Sequence, residues 1–357
     1  MILAIVLSAI VLFGWGFVAD RWFPPAAAPS TKSVDGKQVP VPKPQADPAF
    51  RRDVLAGLAA PVRAIPARWL YDLRGSELFE DITRLPEYYL TRADAAALEA
   101  HCPRVAEIVG RGRAVVEFGS GSSAKTPILL RCVKPSVYLP IDISGEFLRD
   151  SADALAREFP SLRVDPIEAD FMRPIKLPDA YADVPKLGFF PGSTIGNLVP
   201  PSAVDLLRSM RETLGTGAWL LIGMDRAKDV DTLLAAYDDA DGVTGEFNLN
   251  LLHRINRELG GTVPVEDFRH RAVWNDKLSR IEMHLEAVRD VAFDVDGERF
   301  EMRAGETIHT ENSHKYGPRD ARLLLTAGGW TVAEEWTDPE EQFSLLLARA
   351  DPARFAP

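Results

Sequence analysis

An α/β fold built on a doubly wound sheet is predicted by three stretches near the middle of the chain. From Ala114 the sequence reads "AVVEFGSGSSAKTPILLRCV", an apolar run closed by Glu117, a turn with Gly119 and Gly121, then apolar residues at helical spacing. "SVYLPIDIS" is a second apolar run, ending in Asp142. "LRVDPIEADF" is a third, ending in Asp170 and Phe171. Strand, glycine turn and helix make the opening unit of such a sheet, and ligands bind beyond the carboxyl ends of its strands.

Each element then carries a chemical expectation. Glycines at the first turn let the backbone turn sharply and approach a ligand closely. A lone Gly-x-Gly says little, and the third glycine of the dinucleotide fingerprint is Ser or Ala here, which counts against NAD. Asp142, at the tip of the second strand, suits a ribose diol. Asp170 and Phe171 suit an adenine, the acid on its amino group and the ring stacked on its face. "LGFFPGSTIGNL" gives a fourth strand whose Gly-Ser-Thr-Ile-Gly-Asn turn faces the same crevice, and "GAWLLIGMD" gives a fifth. Singly, Asp142 could be a helix cap and Asp170 a turn residue. Together they point to a Rossmann-like S-adenosylmethionine-binding sheet. At the C-terminus, "ARLLLTAGGWTVAEEWTD" and "FSLLLARA" read as a helix followed by a two-strand hairpin.

The 357 residues suffice for two domains. Net charge is −11 with acids and bases interspersed, so no basic face for nucleic acid is expected. The two cysteines, Cys102 and Cys132, form neither a C-x-x-C pair nor a disulfide framework. Asp238 and Asp239 look like a metal pair but lack a third ligand at sensible spacing, and a solvated helix end explains them better. No metal is expected.

The N-terminus differs from the rest. Residues 2–18 are apolar and just long enough to span a bilayer as helix. Trp15 and Trp22 suit an interface, and residues 23–49 read as a Pro/Ala-rich linker. Arg21, Lys32 and Lys37 follow the span, which would leave the catalytic part cytoplasmic and tethered to the inner membrane. "LAIVLSAIVLFGWGFVADRWFP" and "KSVDGKQVPVP" resemble the N-terminal anchor of bacterial membrane insertases, a resemblance that stops at Phe50.

From about Arg51 onward the chain resembles the histidine Nα-methyltransferases of ergothioneine biosynthesis. The strings that carry this are "WLYDLRGSELFEDITRLPEYYLTR", "VEFGSGSSAKT", "GSTIGNL", "AYDDADGVTGEFNLN", "RIEMHLEA" and "TENSHKY". The resemblance implies S-adenosylmethionine as cofactor, L-histidine as substrate, and three methyl transfers to the α-amino group giving hercynine. It implies Gly119, Lys125, Asp142, Asp170 and Phe171 as cofactor-binding residues. Tyr71 is implied beside the reacting amine, Tyr88 against the imidazole, Gly192 and Asn197 in the substrate turn, Tyr237 at the carboxylate and Met283 beneath the substrate. Glu311 and Ser313 are implied to hold the imidazole. In some relatives the last motif ends Ser-Cys-Lys-Phe, where this chain has Ser313, His314, Lys315 and Tyr316.

The residues suit that chemistry. An imidazole has two nitrogens, and each needs a partner when buried. A carboxylate accepts from one, and a hydroxyl adapts to the other. Tyr71 and Asn197 are the expected catalytic pair, Tyr71 as orienter first and base second. Met283 alternates as in a strand and would by itself read as core. His314 reads as a structural neighbour. The expected organisation is an anchor and linker over 1–48, a substrate-recognition α+β lobe from 49–93 and 227–315, and a cofactor domain from 94–226 and 316–357. The lobe's antiparallel strands are "SRIEMHLEAVRDVAFDV" and "RFEMRAGETIHTE". A monomer is expected. Two alternatives are a methyltransferase of another amino acid or small amine, and a membrane-tethered non-catalytic binding protein.

Overall fold

The structure, a computed structural model, describes residues 47–121, 125–143 and 145–350. The expected anchor at residues 2–18 and most of the linker lie outside the described residues. The linker expectation runs one element too far: Asp47 caps a helix, α1 (Pro48–Ala59), its Oδ1 accepting from Ala49 N at 2.7 Å. Proline at the first helical position and an Asp before it are the usual start signals. Helices α2 (Leu73–Ile82) and α3 (Leu90–Val109) follow. Asp72 caps α2 by accepting from Gly75 N at 2.8 Å.

The sheet begins with β1 (Ala114–Phe118), then α4 (Thr126–Val133), β2 (Val137–Asp142) and α5 (Gly145–Glu158). The expected third strand is broken into β3 (Arg163–Val164) and β4 (Ile167–Glu168), both paired with β2. Pro166 between them has no N–H to give a ladder, which explains the break. Next come β5 (Lys186–Phe190), α6 (Pro200–Leu214) and β6 (Trp219–Asp225).

Helices α7 (Val230–Ala235) and α8 (Val243–Leu259) lead to the strands β7 (Phe268–Asn275), β8 (Arg280–Ala287), β9 (Val291–Val295), β10 (Glu298–Met302) and β11 (Thr307–His314). The two long strands expected here are each cut in two, and β7 was not foreseen. β9 and β10 form a tight hairpin, while β7, β8 and β11 form a separate antiparallel sheet. Asp296 and Gly297 at positive φ turn the hairpin. The chain closes with α9 (Pro318–Ala327), β12 (Trp330–Thr337) and β13 (Phe343–Ala350).

The main sheet runs β12-β13-β6-β5-β1-β2-β3, with β4 also on β2. β6, β5, β1 and β2 are parallel, and β13 and β12 are antiparallel. Strand order reverses between β1 and β5, so the crevice lies beyond Phe118 and Phe190. The described residues cluster as one compact unit. Two apolar layers cover the main sheet: Leu129, Tyr138, Phe189 and Leu347 on one face, Leu139, Phe190, Ile222 and Trp330 on the other. A third core joins α1, α2 and α8 to the smaller sheets through Phe50, Leu70, Phe247, Leu285 and Phe293. Among the described residues, no helix is long and apolar enough to cross a membrane.

Candidate active site

The turn after β5 is the first half of the site. Ser193 takes a left-handed backbone at φ 59°, and its Oγ accepts from Asp225 N at 2.8 Å. A non-glycine residue held there costs of order 1–3 kcal/mol and needs such support from its surroundings. Gly196 sits so close to β11 that a Cβ would lie 2.9 Å from the His314 carbonyl oxygen. His314 Nδ1 donates to the Gly196 carbonyl at 2.8 Å, so this histidine locks the turn onto the strand. That is the structural role expected of it.

Asn197, at the end of the turn, thereby donates from Nδ2 to Glu311 Oε1 at 2.7 Å. The Tyr71 hydroxyl donates to the same oxygen at 3.3 Å. Oε2 makes no hydrogen bond to a described residue. Burial pushes the Glu311 carboxyl up to about 7, against the Tyr71 hydrogen bond and the Lys315 charge. Burial and the Glu311 charge push Tyr71 well above 10, so at neutral pH it is a hydrogen-bond donor and not a base. Its ring packs edge-on against Phe79 and Phe247 at 5.6 and 5.4 Å between centroids.

Alternation along β11 puts Ser313 on the face of Glu311. Across the sheet this face also carries Met283, paired with Glu311, and Ile281, paired with Ser313. Met283 is buried in the third core, facing the same way as Glu311, as both its readings require. Ser313 Oγ and the Tyr237 hydroxyl lie 2.6 Å apart. Lys315 Nζ donates to both, at 2.8 and 3.0 Å, and pairs with Asp225 Oδ2 at 2.6 Å. The side chains of Lys315 and Asp225 are wholly buried. Asp225 also pairs with Lys228 at 2.5 Å and accepts from the Tyr89 hydroxyl at 2.8 Å. Burial lowers Lys315, and brings Lys228 down to about 8, against the pull of Asp225.

Tyr88 meets Tyr237 edge-on at 6.1 Å, its hydroxyl driven well above 10 by burial. Tyr237 is fixed from behind: His270 Nε2 donates to its carbonyl at 2.7 Å, and Asn248 Nδ2 donates to His270 Nδ1 at 2.9 Å. Asp239 is not solvated, although the sequence suggested a solvated helix end. It is buried and caps α8, accepting from Val243 N and Thr244 N at 2.9 and 2.8 Å.

The residues expected to hold the cofactor gather at the end of β1. Gly119 turns at φ 69° over the Phe171 ring, and an added Cβ would lie 3.3 Å from it. Asp142 Oδ2 accepts from Gly121 N at 3.1 Å. Asp170 is exposed, with Oδ1 on Met172 N at 3.0 Å. Lys125 pairs with buried Asp94 at 2.6 Å, and Gly192 N donates to the same Asp94 oxygen at 2.8 Å. Gly192 therefore lies against Lys125, at the seam between the two groups of residues. A glycine cradle, an acid at the β2 tip and an aromatic ring beside an acid fit an adenosyl ligand by donor chemistry.

Among the residues of these networks that escaped the sequence reading are Asp94, Asp225, Lys228 and Lys315. Lys315 lies two positions from Ser313 in a strand-end motif, a spacing that marks a shared face. Asp94 lies inside a helix and Asp225 ends a strand, and neither carries a linear signal.

Comparison with known proteins bears on this arrangement. A family profile described as histidine-specific methyltransferase, SAM-dependent, matches residues 50–350. The chain is 40% identical over 312 residues to a histidine N-alpha-methyltransferase of Mycolicibacterium smegmatis, covering 84% of this chain and 94% of that one. It is 39% identical over 313 residues to the protein of the same name from Mycobacterium tuberculosis, with the same coverage. It is 30% identical over 301 residues to ergothioneine biosynthesis protein 1 of Neurospora crassa, covering 81% of this chain and 33% of that protein. The family match begins at Phe50, so the insertase-like segment is no part of it.

Proposed function

Because the chain belongs to the S-adenosylmethionine-dependent, histidine-specific methyltransferase family, it is an enzyme that methylates histidine with that cofactor, and we propose the atoms that do it. The target is the α-nitrogen of L-histidine, methylated three times to hercynine for ergothioneine biosynthesis. The observation that carries this reading is the arrangement around Glu311: Oε1 engaged by Asn197 and Tyr71, Oε2 open, and Ser313 on the same strand face.

Glu311 Oε2 accepts from one imidazole N–H. Lys315 can only donate, so Ser313 Oγ acts as its acceptor and keeps its own proton for the second ring nitrogen. Such a site disfavours side chains lacking these groups, because its buried polar atoms would be left unpaired. Tyr237, whose hydroxyl proton turns from Ser313 to the α-carboxylate on binding, serves that group with the Lys315 charge behind it. Asn197 spans carboxylate and amine. Tyr71 orients the amine and takes no proton from it.

The bound cofactor supplies an electrophilic methyl group on a sulfonium sulfur. The chain's part is to hold the cofactor through Gly119, Asp142, Asp170 and Phe171 while the substrate lobe, 49–93 and 227–315, aims the nitrogen. Positioning of this kind lowers the barrier by removing orientational freedom. From the ammonium form of histidine, three transfers release three protons. The amine that has given up a proton to solvent is the nucleophile, and each added methyl removes one hydrogen-bond donor. Tyr71, Phe79 and Tyr88 form an aromatic cluster whose ring faces tolerate the growing cation.

The test is mass spectrometry of L-histidine incubated with the full chain and S-adenosylmethionine. Mono-, di- and trimethyl products in succession are expected. Preferential methylation of tryptophan or another amino acid, or no product, would overturn the reading.

A further inference from the structure

The small sheet has a second chemical face. β11 carries a bulge between His309 and Glu311: His309 pairs with His284, while Glu311 pairs with Met283. One extra residue in a strand reverses which side the following residues face. His309 and Glu311, two apart, would otherwise share a side. The bulge leaves Glu311 on the proposed substrate face and turns His309 to the other, beside His284 and, two residues along β8, Glu282.

Single ligand atoms of Glu282, His284 and His309 lie within 4.8 Å of one another. The two imidazoles stack, with centroids 4.8 Å apart and planes 21° from parallel. His309 Nε2 donates to the Glu311 carbonyl at 3.0 Å, so its Nδ1 holds the lone pair when the ring is neutral. An outer hydrogen bond from one ring nitrogen to a carbonyl is what orients histidine ligands in metal sites. Glu282 Oε1 is taken by Arg280 and Asn275, at 2.6 and 2.9 Å, whereas Oε2 faces His284 Nε2 at 3.3 Å. His284 Nδ1 and Asn312 Oδ1 are buried without a hydrogen-bond partner among the described residues. Asn312 pairs with Glu282 in the register and so shares this face.

We propose that Glu282, His284 and His309 form a site for one borderline divalent ion of the zinc class, on the sheet face opposite Glu311. Two histidines and one carboxylate, two of them at i and i+2 on a strand and one across from them, match the ligand number and donor type such ions take. Arg271, in register with His284, is engaged by Glu286 at 3.1 Å, and Arg280 is engaged by Glu282, so both nearby cations are already paired. The absence of metal expected from the sequence rested on cysteine spacing and on Asp238 and Asp239. Ligands drawn from two strands around a bulge have no such linear signature.

The test is isothermal titration of untagged, chelator-treated full chain with Zn²⁺ in the absence of histidine, which itself chelates. One equivalent should bind, and the ion should raise Tm. His284→Ala and His309→Ala should each weaken binding at least tenfold and abolish the Tm rise, while exposed His253→Ala changes neither. Circular dichroism shows whether each variant is folded, and Co²⁺ absorption in the visible supplies a second readout that reports coordination by nitrogen. No saturable 1:1 binding to wild type, or binding that both folded variants retain, overturns the proposal.

Discussion

Asn197 and Glu311, 114 residues apart, share a 2.7 Å hydrogen bond that joins the turn after β5 to the third strand of the small sheet. The bond holds Oε1 and leaves the other carboxylate oxygen for a ligand. Removing it should therefore act on the amino-acid substrate and not on the cofactor. Glu311→Ala is expected to raise the histidine KM about 30–150-fold, the equivalent of ~2–3 kcal/mol for a hydrogen bond to a charged group. The dissociation constant for S-adenosylmethionine should stay within about twofold. Steady-state kinetics with calorimetry of the cofactor checks both, and equal losses for the two ligands would contradict the assignment.

Much of this was legible in the sequence because strand ends announce themselves. Asp142 and Asp170 follow apolar runs and Gly119 and Gly192 follow others, whereas Glu311 and Ser313 are singled out by the family resemblance and their shared face by the register of β11. The breaks were not legible from hydrophobicity. "SRIEMHLEAVRDVAFDV" reads as one long strand, yet Ala287 N donates to the Glu306 carbonyl and its own carbonyl accepts from Gly305 N, and the chain turns there to start a separate hairpin. Nor does any pattern bring Asp225 to Lys315, since that pair depends on β6 and β11 ending at the same place in space. The bulge at Thr310 was equally hidden: it decides which side His309 faces, and only the partner strand reveals it.

A buried acid with a raised proton affinity also leaves a mark on stability. Burial lifts Glu311 from an ordinary 4.5 to about 7. The folded state thus binds this proton more tightly than the unfolded chain does. The resulting stabilisation is complete below about pH 4.5 and is lost as pH rises through 7. At ~1.4 kcal/mol per pH unit, ionisation costs on the order of 3 kcal/mol above that window. Glu311→Gln, which mimics the protonated acid, should match wild type near pH 4.5 and exceed it at pH 8. Urea midpoints at the two pH values check this. Glu117, also raised to about 7 by burial, is present in both proteins and cancels in the difference. A glutamine variant less stable than wild type at pH 8 would contradict the expected sign.

Lys315 is the cation on which Ser313, Tyr237 and Asp225 converge. Lys315→Met keeps the aliphatic stem and removes the charge. Breaking a fully buried pair costs about 3–5 kcal/mol when the remaining charge is stranded. Here Lys228 still pairs with Asp225, so the lower end of that range is expected. Ser313 and Tyr237 lose their shared donor, and the histidine KM should rise tenfold or more while cofactor affinity holds. Thermal unfolding separates the two effects. If KM is unchanged in a folded Lys315→Met protein, Lys315 is purely structural.

Asp142 tests the other half of the cleft. Its Oδ2 accepts from Gly121 N, so the carboxylate both shapes the glycine turn and sits at the β2 tip where a ribose diol would meet it. Asp142→Ala should weaken S-adenosylmethionine binding about 10–100-fold, the loss expected for one or two charge-assisted hydrogen bonds. Asp142→Asn keeps the shape and an acceptor but drops the charge, and should recover part of that loss. On the proposed reading the imidazole is held by Glu311 and Ser313, away from the turn after β1, so histidine recognition should be little changed in either variant once cofactor is saturating. Fluorescence titration of cofactor, followed by histidine KM at saturating cofactor, reads the two separately. A rise in histidine KM that persists at saturation would mean that the turn after β1 also shapes the amino-acid site.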